Sequence, residues 1–460
     1  MPRVEVLGIN SGSLGNLDHL LAFPPPWGFP SFLSALVSSW LSFCLSQSSR
    51  VYSAVSTDSE TTSSGGFGID EPFRFEVVAQ DSETGARAGV LHTPHGEVET
   101  PVFMPVGTQA TVKTLSQEDL ETLDTRIILG NTYHLYLRPG AEFVAETGGL
   151  HGFMGWDRAI LTDSGGYQVR SLADLNKIIE EGVVFQSHID GSKHLFTPDS
   201  VIRTQHLLGP DVMMIFDECN AFPCTEEYAR ESGERTLRWA EQCMTTYESL
   251  DRKSAAGHDQ ALFGIVQGSI YRNLRERFAD ATVAMDFPGY AVGGTCMGED
   301  KADTWLAIES VVERLPIQKP RYMMGSGPPE DLVGGVTRGI DMFDCVIPTR
   351  NARNGSVFTR DGKLNIRNAK FKHDQSLLSP DCPLISRYSK AYVRHLFQAS
   401  ETLGLRIASI TSIDYFLTLM REMREAIIAG QFGDWRAAFS EGPYGKAKSA
   451  GGREQGGGGA

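Results

Sequence analysis

Seven short apolar runs recur along the middle of the chain, each closed by a polar residue or a glycine. They are RIILGN (126–131), RAILTD (158–163), DVMMIFD (211–217), ALFGIVQ (261–267), GYAVGG (289–294), RYMMGSG (321–327) and MFDC (342–345). Runs this short and this uniformly apolar suit strands covered on both faces. Helix-patterned stretches lie between them. Residues 225–250 open on Thr225, with Glu226 and Glu227 in the first turn. Residues 299–315 carry Trp305, Leu306, Ile308, Val311, Val312 and Leu315 at helical spacing. Buried strands alternating with helices predict a parallel sheet wrapped by helices. The number of units fits an α/β fold of the (β/α)8 barrel type better than a doubly wound sheet. No GxGxxG fingerprint follows the first strand. Upstream, Phe73, Phe75 and Val77 alternate with polar residues, which predicts an antiparallel strand before the barrel.

In a barrel, the residues that end the strands converge on one face, and that face carries the chemistry. Here they are Asn131, Asp163, Asp217, Gln267, Gly294 and Asp344. Each Asp taken singly is equally well read as a helix N-cap. Taken together, two carboxylates on one pocket are the minimum for displacement at an acetal-like carbon. One attacks and the other moves the leaving group's proton. Asp217 and Gln267 have the donors and acceptors to read a guanine edge, and Tyr167 and Met324 can hold a flat ring between them. The pattern alone reaches a barrel hydrolase or a glycosyltransferase.

Charge then narrows the partners. Forty-two Lys and Arg against fifty-seven Asp and Glu leave a net −15 in 460 residues, which excludes a general polyanion binder. One stretch departs from this. Residues 350–373 hold seven Lys or Arg and one acid, Asp361, and begin six residues after Asp344. A basic run beside a candidate nucleophile suits phosphate contacts, although a solvated charged face reads the same way. The seven cysteines are odd in number, widely spaced and free of any CxxC pair, as expected of free thiols in a reducing compartment. No run of about 20 purely apolar residues occurs, so no membrane is expected in the mature form.

The two ends differ in composition from the middle. Residues 1–56 are Ser-rich and acid-poor, and 57–70 read as a linker. Residues 1–72 are therefore expected to be a targeting presequence and linker directing the chain to a plastid or mitochondrion, with a cytoplasmic location as the alternative. Residues 73–440 would form the barrel, with a subdomain at about 356–415. The Gly-rich 441–460 show no core-forming pattern and are expected to be disordered.

Several strings resemble the tRNA-guanine transglycosylase family: PVFMPVGTQATVK (101–113), NTYHLYLRPG (131–140), LTDSGGYQV (161–169), FDEC (216–219), VQG (266–268), GYAVGG (289–294), RYMMGSGPPEDLV (321–333) and above all RGIDMFDCVIPTRNARNG (338–355). The resemblance spans about 73–439. It implies a (β/α)8 barrel that exchanges the wobble guanine of a tRNA for queuine or a 7-deazaguanine precursor. Asp344 would be the nucleophile and Asp163 the general acid/base. Asp217, Gln267 and Gly294 would recognise the base, in a pocket lined by Ser164, Gly165, Gly166 and Tyr167. Two segments would contact the tRNA: Gly325, Ser326, Gly327, Pro328, Pro329, Glu330 and Asp331, and Thr349, Arg350, Asn351, Ala352 and Arg353. Cys219 in FDEC looks like the bacterial branch. A homodimer or a heterodimer is left open.

The sequence departs from the family at four places. Tyr167 stands where Phe is more usual. Arg170 and the Thr295-Cys296-Met297 run are polar or bulky where smaller apolar residues are the rule. The family's structural zinc site, CxCxxC plus a distant His, is reduced to Cys382 in PDCPLISRYSKAY (380–392), with Thr411 at the His position. Resemblance implies zinc there, whereas one ligand of four predicts none. Two other readings stay open at this stage: a catalytically inactive tRNA-binding or partner subunit, and a small-molecule nucleoside hydrolase.

Overall fold

The computed structural model describes residues 73–172 and 176–450. Eight parallel strands run in the order β4 (Val102–Pro105), β14 (Met342–Cys345), β13 (Arg321–Met323), β12 (Gly289–Val292), β11 (Ala261–Val266), β10 (Val212–Met214), β6 (Ala159–Thr162), β5 (Ile127–Gly130). A parallel bridge between Val106 and Leu129 joins β5 back to β4 and closes the barrel. Seven of the strands are the apolar runs of the sequence, buried on both faces as that uniformity demands. The eighth, VFMP, is only four residues long, and all four are buried.

Helices lie between successive strands. Glu226–Ser249 is capped by the Thr225 side chain, which accepts from Tyr228 N, and its first turn carries Glu226 and Glu227. Lys301–Val312 buries Ile308, Val311 and Val312 against the barrel. Both match the predicted stretches, with frayed ends trimmed. The expected antiparallel strand is β1 (Arg74–Gln80). It pairs with β2 (Arg87–Thr93), which in turn pairs with β3 (Gly96–Thr100).

Two further additions sit on the barrel. A three-stranded antiparallel sheet, β7 (Asn176–Ile179), β8 (Gly182–Gln186) and β9 (Lys193–Phe196), follows β6. A hairpin, β15 (Ser356–Thr359) and β16 (Gly362–Asn365), follows β14. The helix Thr402–Ile428 is long and apolar enough to cross a membrane by composition. Most of it is buried, and it packs on β4, β15 and the helix Ile347–Arg353, so it acts as a core helix. The predicted subdomain edge at 415 falls inside it.

One expectation about the C-terminal tail is corrected. Residues 443–450 form a helix, Pro443–Ala450, instead of disordered chain. Tyr444 anchors its start. The ring is buried, its hydroxyl donates to Thr359 O at 2.9 Å and accepts from Thr359 N at 3.2 Å. A single aromatic with a satisfied hydroxyl ties down a stretch whose composition is otherwise that of a loose end. The presequence expectation for 1–72 lies outside the described residues, as do 451–460.

Candidate active site

The carboxyl ends of the barrel strands surround a cavity of about 260 Å³. Asn131, Asp163, Asp217, Gln267, Gly294 and Asp344 all line it, so the convergence expected of strand-end residues is met. Ser164, Gly165, Gly166, Tyr167, Met324 and Gly325 line it as well.

Asp163 follows β6 and is held by three donors. Asn131 Nδ2 and Gln168 Nε2 reach Oδ2 at 2.6 and 2.8 Å, and Thr132 N reaches Oδ1 at 2.9 Å. Asn131 stands at the N-cap of the helix Thr132–Leu137 but makes no cap bond with its side chain, which is committed to Asp163. Burial pushes the Asp163 carboxyl up to about 6, against the lowering effect of the three donors, and the nearby Asp344 adds to the rise.

Asp344, on β14, has a different environment. Tyr322 OH and Gly325 N both donate to Oδ1, at 2.5 and 2.8 Å. Enclosure raises this carboxyl too, and these two donors act against it. Oδ2 accepts no hydrogen bond among the described residues, which leaves it as the oxygen facing the cavity. Burial thus raises both carboxyls and donors oppose the rise in both; they differ in that Asp163 is bonded on both oxygens and Asp344 on Oδ1 alone.

Asp217 and Gln267 lie side by side on the cavity wall. Gln267 Nε2 donates to Asp217 Oδ2 at 2.6 Å, and Ser164 Oγ to Oδ1 at 3.2 Å. Burial lifts Asp217 to about 6. Gln267 Oε1 is buried without a partner. A buried, unpaired acceptor facing a cavity is a place for a ligand's donor. Gly294 must be glycine here. Its φ is +62°, and a Cβ would collide with Gln267 Oε1. The loop is fixed from behind by Arg275, fully buried, which donates to the carbonyls of Gly293 at 2.7 Å and Gly294 at 3.2 Å.

Cysteines are present but unsuited to attack. Burial lifts Cys219 and Cys345 to about 12 and Cys296 to about 11, so little thiolate exists near neutrality. All six described cysteines are free, as expected.

The two segments expected to meet tRNA are mixed in exposure. Gly325 and Arg350 are exposed, Pro328, Glu330, Asn351 and Arg353 are partly so, and Ser326, Gly327, Pro329, Asp331, Thr349 and Ala352 are buried. The buried ones can shape an RNA surface but not touch it with side chains. Asp331 is paired with Lys301. Arg350, Lys363, Arg367, Lys370 and Lys372 are exposed and form no ion pair among the described residues, whereas Arg360 pairs with Glu422 at 2.7 Å. Tyr167 is half exposed at the cavity mouth, 5.9 Å from the guanidinium of Arg170.

Sequence reasoning missed Tyr322. It sits in an apolar run and is buried, which reads as core; only its place one strand from Asp344 marks it. Gln168 carries no signal of its own in the sequence either.

The family model described as queuine tRNA-ribosyltransferase matches residues 81–444. The chain belongs to the queuine tRNA-ribosyltransferase family. The expected enzyme class, a pentosyl-type glycosyltransferase, agrees with that membership. Queuine tRNA-ribosyltransferases from Symbiobacterium thermophilum, Pelotomaculum thermopropionicum and Bacillus cereus are 54 %, 53 % and 52 % identical to this chain. They align over 80 %, 79 % and 80 % of it and over 91 %, 97 % and 96 % of their own lengths. The organelle destination expected from 1–72 does not stand. These relatives are bacterial proteins, from cells without plastids or mitochondria.

Members of a family with a structural zinc would hold it in the region of Cys382. That thiol is fully buried, and its polar neighbour is Asp414. Thr411 gives its hydroxyl to Ile407 O at 2.8 Å. No three His, Cys or carboxylate groups gather there among the described residues. One thiol and one carboxylate do not fit tetrahedral zinc.

Proposed function

We propose that this chain exchanges the wobble guanine of a tRNA for queuine or a 7-deazaguanine precursor by double displacement. The single observation that carries the reading is the convergence of two buried carboxylates, Asp163 and Asp344, on one cavity, with Oδ2 of Asp344 left free of hydrogen bonds among the described residues. The target nucleotide, flipped from the anticodon loop, enters the cavity with its base against Asp217, Gln267 and the Gly294 loop. Asp344 Oδ2 attacks C1′ of the ribose, the bond from C1′ to the base nitrogen breaks, and Asp163 gives its proton to the departing guanine. The incoming base loses a proton to Asp163 and displaces Asp344 from C1′. Asp163 ends protonated and Asp344 ionised, as they began, and configuration at C1′ is retained.

The exposed cations of residues 350–373 support a phosphate-bearing substrate, which a hydrolase for free nucleosides does not need. The presence of both carboxylates, each with its own donors, argues against an inactive partner subunit. Incubation with labelled guanine and tRNA tests the proposal. Label is expected in the tRNA. No label in the tRNA, with guanine released from free guanosine instead, would favour the hydrolase.

A further inference from the structure

At the opposite end of the barrel from Asp344, three histidines from three segments meet around one carboxylate. His95 lies in the turn between β2 and β3, His151 on the helix Gly149–Met154, and His258 in the loop before β11. The carboxylate belongs to Asp211, directly before β10, and is wholly buried. It accepts from Ile160 N at 2.8 Å, which fixes its position. Oδ1 is 2.7 Å from His95 Nδ1, and Oδ2 is 3.2 Å from His151 Nε2. His258 Nδ1 is 3.0 Å from Ser254 Oγ. Each ring therefore has one nitrogen engaged. The opposite nitrogens of two of them, His151 Nδ1 and His258 Nε2, are buried and make no well-formed hydrogen bond, although the Pro210 backbone lies near His258. One ring nitrogen of each histidine lies within 4.8 Å of one from each of the others.

We propose that His95, His151 and His258 bind a divalent transition metal of the zinc class, with Asp211 orienting two of the rings. The chemistry follows from the hydrogen bonds. A neutral imidazole that donates through one nitrogen presents a lone pair on the other, so Asp211 selects the ring nitrogens left for a metal. Three imidazoles and one open position suit zinc, and they also accept cobalt or nickel. Unpaired buried nitrogens call for an ion or a water. The His95 and His151 rings are stacked, with centroids 3.6 Å apart and planes 15° apart. Metal entry requires these two rings to splay. His258 already faces both edge-on, at 4.8 and 5.5 Å. His95, on a hairpin turn and about one quarter exposed, is the ring with room to move. A bound ion would tie the hairpin, the helix and the loop together at the base of the barrel. It stands apart from Cys382 and takes no part in base exchange.

The test is titration of the metal-stripped full chain with Co2+ and then Zn2+, followed by visible absorption and melting temperature. Saturation at one Co2+ per chain is expected, with a spectrum of nitrogen and oxygen ligands and no thiolate charge-transfer band. Zn2+ should displace Co2+ and raise the melting temperature in step with its concentration. His95→Gln and His258→Gln should each weaken binding by at least about tenfold, and Cys382→Ala should leave it unchanged. If His258→Gln fails to fold, His95→Gln on its exposed turn still decides. Absence of saturable Co2+ binding to the wild-type chain would overturn the proposal. So would binding that is kept by His95→Gln and lost in Cys382→Ala.

Discussion

Tyr322, on β13, donates its hydroxyl hydrogen to Oδ1 of Asp344, on the neighbouring β14, across 2.5 Å. The bond favours the ionised carboxylate and leaves Oδ2 open to the cavity. Tyr322→Phe keeps the ring and removes only the donor. A hydrogen bond to a charged group contributes roughly 1.5–3 kcal/mol, so exchange should fall about ten- to hundredfold in kcat with tRNA affinity little changed. Loss of a donor to the anion raises the Asp344 pKa, so the acidic limb of the pH–rate profile should move to higher pH. A slower variant with an unmoved limb would place Tyr322 outside the chemistry.

Asp163 allows a sign-definite test on stability. Its carboxyl stands at about 6 in the folded chain against 3.8 as the ordinary value. As pH rises through this window the unfolded chain loses its proton first, so ionisation favours unfolding and stability falls. Well below about pH 4 neither state is charged and the effect vanishes. Asp163→Asn cannot ionise and should abolish exchange. Relative to wild type it should gain roughly 2 kcal/mol as pH rises from 4 to 6.5. Urea unfolding of both proteins at several pH values measures the gain. A difference independent of pH would mean that Asp163 titrates normally.

Gly294→Ala should damage base recognition more than RNA binding. The new methyl group runs into Gln267 Oε1 on a backbone with positive φ. The expected outcome is a rise of at least about tenfold in KM for the base, with tRNA affinity near normal. Steady-state kinetics with varied guanine checks this.

Arg350 and Lys370 are exposed and form no ion pair among the described residues, so their joint replacement by alanine should act through charge. Removing two cations that neutralise backbone phosphates should reduce the slope of log K against log salt by about 1.5. Salt-dependent tRNA affinity, measured with melting temperature on the same preparation, checks it. An unchanged slope in a folded variant removes this face from the RNA surface.

Much of this architecture is legible in the residues because buried parallel strands cannot hide polar positions. RIILGN, DVMMIFD and their like announce themselves, and the polar residue that ends each run falls at the barrel mouth by geometry. VFMP is harder, because four residues bounded by prolines carry no period of their own. KHLF in the added sheet mixes charge with apolar residues because it is covered on one face only, and NKII is exposed over its first half. Tyr322 escapes for a different reason: a hydroxyl at the end of an aromatic ring looks apolar in a run of apolar neighbours. The histidine cluster is invisible because His95, His151 and His258 are far apart in the chain and only barrel closure brings them together. The single Tyr444 cannot be told from the loose tail around it.

The most direct measurement is a search for the covalent intermediate. Wild-type protein incubated with labelled tRNA, without a replacement base, and then denatured should carry RNA linked to the chain. Peptide mapping should locate the ribose on Asp344. Asp344→Ala should bind the tRNA with unchanged affinity, form no linked species and show no exchange. Base exchange by Asp344→Ala within tenfold of wild type, or a linked ribose mapping to another side chain, would contradict the mechanism.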